Sequence, residues 1–400
     1  PGARSHRERK HPYPGLLSGL LEGLLEAREQ PALPVKAHEE RLPSGKRGVS
    51  LAFLRGLRRF YAARGGLDKH MGQVCKEAGF EASICSLTRS TGLSLAESVA
   101  LLLPASEQDA SALVGKATTF FSYSWTGTML GDMLAAIEGK LVELEAADGV
   151  KRFVWVDMFC ASQTLLAGEF RDDAKHSKGS EGYLARKEDT DHIFEDALGA
   201  VDELMLYLSP LTAKWMAPPD PYLLPGDRGD LPPADWERRG PGAMTRAWCM
   251  FEMSKALAKG CRLHVVLCPA DVEGFEALLT EQFDEIAHIV AALDASDAQI
   301  SKVEDREYIL GEVEKLEGGL GGVTTAVCER LREWLAGEGR RAVDNLSGEE
   351  RRQESALGLI SRVGRLLNDQ GKLGEAEVLM REALEAMRAT LGDRHPHTLA

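Results

Sequence analysis

The spacing of apolar residues changes twice along this 400-residue chain. Residues 49–115 carry apolar side chains at intervals of three to four, the spacing of helices with one buried face. From about residue 118 to residue 268, short apolar runs alternate with amphipathic helical stretches. Helical spacing then returns and continues to the end of the chain. The pattern therefore predicts an α/β region between two helical regions.

Four apolar runs in the α/β region are predicted to be buried strands. They are residues 119–124, 153–157, 204–208 and 263–267. Helical stretches separate them, and strands that alternate with helices form parallel, doubly wound sheets. Such sheets bind ligands where the carboxyl ends of their strands meet. We therefore expect functional side chains directly after the predicted strands.

Changes in composition divide the chain into five predicted segments. They are a poorly ordered segment at 1–48, a helical region at 49–115, the α/β domain at 116–275, a helical extension at 276–345 and a helical hairpin at 350–400. The first segment is rich in Pro, Arg, His and Glu, which disfavours a packed core. Its one exception is a row of leucines from Leu16 to Leu25, which predicts a helix packed on the body of the protein or on a partner. Ser94 is a predicted N-cap of a later helix.

The predicted hairpin has two amphipathic helices joined by a turn at residues 370–372. Neither helix can bury its apolar face alone, so we expect the first unit of a stacked array that binds a protein or peptide. Four motifs carry a resemblance: Asp369-Gln370-Gly371-Lys372-Leu373, Glu375-Ala376-Glu377, Arg381-Glu382-Ala383-Leu384 and Leu391-Gly392-Asp393-Arg394-His395-Pro396. They are similar to the tetratricopeptide repeat (TPR) of the kinesin-light-chain type. The resemblance implies protein binding and no motor activity.

Charge and cysteine usage limit the function further. Lys and Arg total 48 against 62 Asp and Glu, and the net charge of -14 argues against partners such as nucleic acids or anionic membranes. Seven Cys without paired spacing indicate a reduced, cytoplasmic protein. No apolar run reaches the roughly 18 residues of a membrane span. The chain begins with Pro and ends within a repeat, so we expect it to be part of a longer protein.

Several catalytic motifs are absent from the sequence. It contains no Gly-x-x-x-x-Gly-Lys-Ser/Thr loop, no His-Glu-x-x-His, no Cys-x-x-Cys and no Gly-x-Ser-x-Gly. We therefore predict no metal site and no cofactor. The glycine-rich residues 318–322 follow no predicted strand, so we interpret them as a flexible turn.

Residues 118–268 share four motifs with a known family, in the same order. The motifs are Phe121-Ser122-Tyr123-Ser124, Trp155-Val156-Asp157, Leu208-Ser209-Pro210 and Ala247-Trp248-Cys249-Met250-Phe251-Glu252. This region resembles a TIR domain, which implies a flavodoxin-like fold with a parallel, doubly wound sheet. The order of modules is also similar to that of large algal and protist proteins that join TIR-like modules to repeats. An insertion at residues 211–243 precedes the last motif, and no fifth strand is evident.

The last motif lies where a helix is predicted to begin, with Thr245 as its N-cap. It is similar to the Trp-Cys-x-x-Glu helix of many TIR domains. The resemblance implies that Glu252 is the catalytic residue of an enzyme that cleaves NAD, with NAD as substrate rather than cofactor. A carboxylate there would stabilise the positive charge that develops on ribose as nicotinamide leaves. The alternatives for Glu252 are a solvated surface charge or an inherited but inactive position.

Five further residues are predicted to contact the substrate. Ser124 and Trp125 follow the first strand, at the end where ligands bind. Asp157 ends the second strand and would either hold a ribose or cap the loop. Trp248 would stack on a base or nicotinamide, with a core position as its alternative. Cys249 lies near a helix N-terminus, where thiol pKa values are generally lowered, with simple packing as its alternative.

Two functions fit these features. The first is a TIR-like signalling module that consumes NAD and is tethered to protein-binding repeats. TIR enzymes generally self-associate to assemble their active site, so the resemblance also implies contacts between copies of the chain. The second is a non-catalytic scaffold in which both regions bind proteins. Glu252 distinguishes the two functions, because only an enzyme requires it to face a ligand.

Overall fold

The structure is a computed structural model, and it describes residues 19–20, 44–77, 79–88, 92–102, 110–125, 127–163, 192–209, 214–216, 237–239, 241–291, 298, 304–395 and 398. The chain divides into two compact units. The first comprises Pro1–Tyr207 and Lys259–Val266, and the second comprises Leu208–Ala258 and Leu267–Ala400. Among the described residues, no helix is long and apolar enough to cross a membrane.

A six-stranded sheet forms the framework of the first unit, and a two-stranded antiparallel hairpin belongs to the second. The strands are β1 (Arg47–Val49), β2 (Val114–Lys116), β3 (Thr119–Ser122), β4 (Val154–Trp155), β5 (Glu203–Tyr207), β6 (Lys214–Met216), β7 (Glu237–Arg239) and β8 (Arg262–Val266). The larger sheet has the order β2-β1-β4-β3-β5-β8. Strands β4, β3, β5 and β8 are parallel, whereas β1 is antiparallel to both of its neighbours. The parallel strands therefore lie in the order second, first, third and fourth along the chain.

The parallel part of the sheet agrees with the hydrophobic pattern. All four predicted strands are present, and their ends lie within two residues of the prediction. Every residue of β3 and β5 is buried, as expected where strands read as continuous apolar runs. Phe120 pairs in register with Trp155, and the two rings stack with centroids 4.8 Å apart. The predicted mixed α/β fold is confirmed.

Strands β1 and β2 are not evident in the sequence pattern, which predicts a poorly ordered segment up to residue 48 and only helices for residues 49–115. Residues 44–48 instead form a 3-10 turn and most of β1. Each strand has three residues, too few to show an alternation of apolar and polar positions. Gly48 and Gly115 pair across the two strands. A Cβ atom at Gly48 would lie 2.7 Å from the backbone carbonyl carbon of Phe153, and one at Gly115 would lie 2.7 Å from the Phe153 ring, so the close approach of Phe153 favours glycine at both positions. The predicted helical region thus also extends the sheet.

The helices of the first unit begin at local signals. Those described are α1 (Leu51–Ala62), α2 (Met71–Lys76), α3 (Ile84–Thr88), α4 (Leu95–Leu102), α5 (Ala110–Leu113), α6 (Leu130–Asp148), α7 (Asp157–Cys160) and α8 (Ile193–Ala200). Ser50 caps α1 by accepting a hydrogen bond from the backbone N–H of Phe53 at 3.3 Å. Ser94 and Glu97 form a reciprocal capping box at the start of α4, which confirms Ser94 as the predicted cap.

The predicted N-terminal helix is described only at Gly19 and Leu20, which are helical. Leu20 is fully buried, as expected for a helix that packs on the body of the protein. The rest of that predicted helix lies outside the described residues. The same is true of most of the predicted insertion at 211–243 and of residues 164–191.

Helices dominate the second part of the chain. Those described are α9 (Ala247–Lys259), α10 (Pro269–Ala291), α11 (Glu304–Glu314), α12 (Gly319–Asn345), α13 (Glu354–Asp369) and α14 (Leu373–Leu391). The predicted N-cap at Thr245 is wrong, because α9 begins at Ala247 and the Thr245 hydroxyl donates to the Gly242 carbonyl at 2.9 Å in the preceding 3-10 turn. The predicted glycine turn is also shorter than expected. Gly318 has a φ of +77°, but Gly319 already begins α12.

The C-terminal hairpin packs on the two long helices before it. Helix α13 contacts α14, α12 and α10. Gly339 of α12 allows close packing, since a Cβ atom there would lie 2.6 Å from a methyl group of Val363. Gly371, with a φ of +73°, provides the turn between α13 and α14. The predicted helical hairpin and its turn are confirmed.

Candidate functional site

A carboxylate connects the carboxyl ends of the neighbouring strands β3 and β4. Asp157 follows β4 and begins α7. Its Oδ1 accepts a hydrogen bond from the Tyr123 hydroxyl at 2.7 Å, and its Oδ2 accepts one from the Trp125 indole Nε1 at 2.8 Å. Tyr123 and Trp125 both follow β3, the strand that pairs with β4. The structure thus brings two predicted substrate contacts, Trp125 and Asp157, into direct contact.

Burial and hydrogen bonding act on the Asp157 carboxyl in opposite directions. Burial raises its pKa above the ordinary value, because the charged form is separated from water. Hydrogen bonds from Tyr123, Trp125 and the backbone N–H of Met158 partly offset this effect by stabilising the charged form. All three donors are neutral groups. The carboxylate is therefore held in place by three donors, none of which carries a positive charge.

The backbone of Asp157 is held from a second direction. The Gln163 side-chain amide donates to the Asp157 carbonyl at 2.7 Å, and Gln163 is buried. The Cys75 thiol lies 3.7 Å from the Gln163 Oε1 and 4.0 Å from the Cys85 sulfur. Its contact with Cys85, together with burial, raises the pKa of Cys75 well above its usual range. Cys75 therefore stays protonated at neutral pH and packs against Gln163 as a neutral group.

Tyr123 is a site residue that sequence reasoning missed as a functional group. It lies within the strand motif quoted above, but nothing in the local sequence shows that its hydroxyl meets a carboxylate 34 residues away. Tyr123 and the predicted contact Ser124 are both buried, at 6% and 4% exposure. Trp125 is only partly buried. Of these residues, Trp125 is therefore the one with substantial surface for a ligand.

Glu252, Trp248 and Cys249 lie on α9, in the second unit. Glu252 is only 7% exposed, and its neighbours Phe251 and Met253 are buried as well. A carboxylate that is so deeply buried is not a solvated surface charge. Glu is seldom buried to this extent without a partner or a function. Cys249 is 3% exposed, which agrees with packing. Catalysis by Glu252 and substrate contact by Cys249 stay predictions.

Trp248 has protein partners within the second unit. Its indole Nε1 donates to the Asp305 carboxylate of α11 at 3.0 Å. Its ring meets Phe251 edge-on, with centroids 5.7 Å apart, and lies 6.2 Å from the Tyr308 ring. Lys255 adds an ion pair with Glu312 at 2.8 Å. These contacts between α9 and α11 support the core alternative for Trp248, whereas stacking on a substrate stays a prediction.

A groove of about 500 Å³ lies between residues 348–352 and helix α14. Its lining includes Arg351, Arg352, Val378, Arg381, Glu382 and Glu385. Arg351 is already engaged, since it donates to the Glu382 carboxylate at 2.5 Å and to the Val343 carbonyl at 2.7 Å. Val378 on α14 is 60% exposed. The groove therefore combines charged and apolar surface, as protein-binding surfaces commonly do.

All seven cysteines are free and buried. Within the described ranges, no group of three or more His, Cys, Asp or Glu side chains could hold a metal ion.

Comparison with known proteins supports one of the two resemblances. A family model described as tetratricopeptide repeat matches residues 357–397, which cover most of α13 and all of α14. The chain therefore carries a tetratricopeptide repeat, a module that generally mediates protein–protein interactions. No curated protein and no solved structure matches the chain significantly. The TIR resemblance consequently rests on the four motifs and receives no support from these comparisons.

Proposed function

We propose that the α/β domain at 116–275 is a TIR-like module that cleaves NAD at the bond between nicotinamide and ribose. The observation that carries this proposal is the order of the parallel strands: second, first, third, fourth. Flavodoxin-like sheets use this order and bind ligands at the carboxyl ends of their strands. Ser124, Trp125 and Asp157 directly follow β3 and β4 at those ends. Ser124 and Trp125 are the proposed substrate contacts of the first unit, and Asp157 belongs to the same proposed site through its bond to Trp125.

Glu252 is the proposed catalytic residue. The reaction breaks the C–N bond between ribose and the positively charged nicotinamide ring, so nicotinamide leaves with the bonding electron pair. Water then adds to the ribose carbon and releases one proton, which gives ADP-ribose. A carboxylate stabilises the positive charge that builds on ribose in the transition state. The burial of Glu252 supports this role, because electrostatic stabilisation is stronger where water is excluded.

The test compares the full chain with Glu252→Gln in a nicotinamide-release assay. Gln keeps the shape of the side chain and removes its charge, so we expect turnover to fall about 100-fold or more. Glu333→Gln is the matched control, since Glu333 is an exposed glutamate that pairs with Arg330 on α12. Circular dichroism and thermal unfolding confirm that each variant is folded. High protein concentration favours the self-association that the TIR resemblance implies.

Two results would overturn parts of this proposal. Equal turnover in wild type and Glu252→Gln removes Glu252 from the mechanism. If neither protein releases nicotinamide, even when artificially clustered, NAD cleavage is wrong for this chain.

The second candidate function is a non-catalytic scaffold. The matched repeat and the groove along α14 favour it, because both provide surface for a protein partner. We further propose that the repeat is of the kinesin-light-chain type, on the basis of its four motifs. A reducing compartment such as the cytoplasm is part of the same proposal, given that all seven cysteines are free. Pull-down of the same partner by wild type and Glu252→Gln, without NAD turnover, is the result expected of a scaffold.

A further inference from the structure

Asp157 has little capacity left to bind a substrate directly. A carboxylate has about four positions that accept hydrogen bonds. In Asp157, Oδ1 accepts from the Tyr123 hydroxyl and from the backbone N–H of Met158 at 2.6 Å, and Oδ2 accepts from Trp125. Three of the positions therefore have protein donors. A ribose that donated one hydroxyl to each oxygen would have to displace one of these bonds, because Oδ1 already accepts two.

The same bonds fix the ring of Trp125. The indole N–H is the only hydrogen-bond donor of a tryptophan side chain, and here it donates to Asp157 at 2.8 Å. A hydrogen bond to a charged acceptor is stronger than one between neutral groups. The acceptor is itself immobile, because Gln163 holds the Asp157 backbone and Tyr123 holds the carboxylate. Trp125 thus has an anchored edge and remains only partly buried.

The geometry points to a positioning role for Asp157. We propose that Asp157 orients the Trp125 indole as a flat platform on which a planar ring of the ligand stacks, at the carboxyl ends of β3 and β4. This inference rests on the proposed function, since NAD provides two such rings, nicotinamide and adenine. Stacking of one base on an aromatic side chain is a recognised source of nucleotide affinity. Trp125 would then contact the ligand, and Asp157 would act through Trp125.

Steady-state kinetics with NAD test the positioning role. Asp157→Ala releases the indole and should raise KM about tenfold, within the range that one stacked base provides, while kcat changes by less than about twofold. Asp157→Asn should stay within about threefold of the wild-type KM, because its amide oxygen can still accept the bond from Trp125. Glu138→Gln is the matched control. Glu138 is a partly buried carboxyl of the same unit whose pKa burial also raises, but it pairs with Arg58.

A second readout does not depend on turnover. The indole N–H of Trp125 gives one NMR resonance, which Trp125→Phe identifies by removing it. This resonance should move in Asp157→Ala and stay near its wild-type position in Asp157→Asn. Titration with NAD should shift the Trp125 resonance in wild type. In Asp157→Ala the same shift should require a tenfold higher NAD concentration. If Asp157→Ala does not fold, Trp125→Phe serves in the kinetic test, since it deletes the donor of the anchoring bond and should raise KM severalfold.

The outcomes separate this inference from the proposed function. If Glu252→Gln abolishes turnover while Asp157→Ala leaves KM and the NAD titration unchanged, NAD cleavage stands and the platform is wrong. If NAD shifts the Trp125 resonance in a manner that depends on Asp157, but no variant turns NAD over, the platform stands and the cleavage reaction is wrong. If NAD leaves the resonance unmoved in an active wild-type protein, the platform is overturned.

Discussion

A buried carboxylate lies at each end of the parallel sheet, and the two have different electrostatic settings. At the amino end, Glu203 begins β5 and is only 4% exposed. It accepts bonds from the Arg152 guanidinium at 2.7 and 3.0 Å, from Arg262 at 2.6 Å and from the Thr119 hydroxyl at 3.0 Å. At the carboxyl end, Asp157 has three neutral donors. Glu203 thus lies in an ion-pair network, whereas Asp157 does not.

The pKa shifts of the two carboxyls follow from these partners. Burial alone would raise both pKa values. At Glu203 the hydrogen-bonding and charged partners outweigh burial, so its pKa lies well below the ordinary value. At Asp157 burial prevails and the pKa is raised. The charge of Glu203 therefore stabilises the fold, while that of Asp157 is tolerated beside the proposed ligand site, where perturbed carboxyls are common.

Removing the charge of Glu203 should have the largest effect. Glu203→Gln removes the buried carboxylate partner of the Arg152 guanidinium and leaves it paired with the more exposed Asp148, and we expect the free energy of unfolding to fall by about 3 kcal/mol. Urea denaturation at pH 7 measures the change. Glu143→Gln is the control, because Glu143 pairs with Lys140 at the surface and should change stability by less than about 0.5 kcal/mol. A loss below about 1 kcal/mol in Glu203→Gln would contradict the contrast between the two ends.

Acid should act on the two ends in opposite directions, weakening the Glu203 end and not the Asp157 end. The lowered pKa of Glu203 contributes stability that is present above its unfolded pKa, about 4.3, and is lost as pH falls. The raised pKa of Asp157 contributes stability that is present below its unfolded pKa and is lost as pH rises through the folded one. Urea midpoints between pH 2 and 7 should therefore fall less steeply with acid in Glu203→Gln than in wild type. Parallel curves for the two proteins would be evidence against this assignment.

Deleting one neutral donor at each end sharpens the comparison. Tyr123→Phe removes a hydrogen bond to Asp157 and should cost about 1.5 to 2 kcal/mol at pH 7, because only two donors to the carboxylate remain. Thr119→Val should cost about 1 kcal/mol, since Glu203 retains its two arginines. Urea denaturation of both variants provides the measurement. The reverse ranking would mean that the neutral donors matter less at Asp157 than the geometry indicates.

Neutralising Asp157 should have the smallest effect on stability. Asp157→Asn removes a charge that burial disfavours, so we expect a change in unfolding free energy of no more than about 1 kcal/mol at pH 7. Urea denaturation of Asp157→Asn and Glu203→Gln under the same conditions measures the two changes in unfolding free energy. Equal losses in the two variants would show that both carboxylates stabilise the fold to the same extent.

Several elements could be predicted because their signals are local. The four parallel strands appear as apolar runs, Ser94 and Glu97 have the spacing of a capping box, and Gly371 marks the turn of the repeat hairpin. The errors occurred where local signals compete. Thr245 has the chemistry of a cap but uses its hydroxyl in a tight turn. Gly319 begins a helix although glycine disfavours one, because α12 is stabilised by packing along its buried face.

The candidate site could be predicted only in part. Its position after β3 and β4 follows from the rule that open α/β sheets bind ligands at strand ends, and this rule identified Ser124, Trp125 and Asp157. The hydrogen bonds of Asp157 could not be predicted. Its partner Tyr123 lies 34 residues away and Trp125 lies 32 away, and neither spacing corresponds to a contact within a helix or a hairpin.

The sequence by itself determined the four parallel strands and the repeat hairpin, since apolar runs, helical periodicity and turn glycines depend on residues a few positions apart. The tertiary structure decided which of these elements are neighbours. It placed β3 between β4 and β5, which joined Asp157 to Trp125 at one end of the sheet and Glu203 to Arg152, 51 residues away, at the other. Strand order depends on packing throughout the unit, and the charge state of both carboxyls depends on that order.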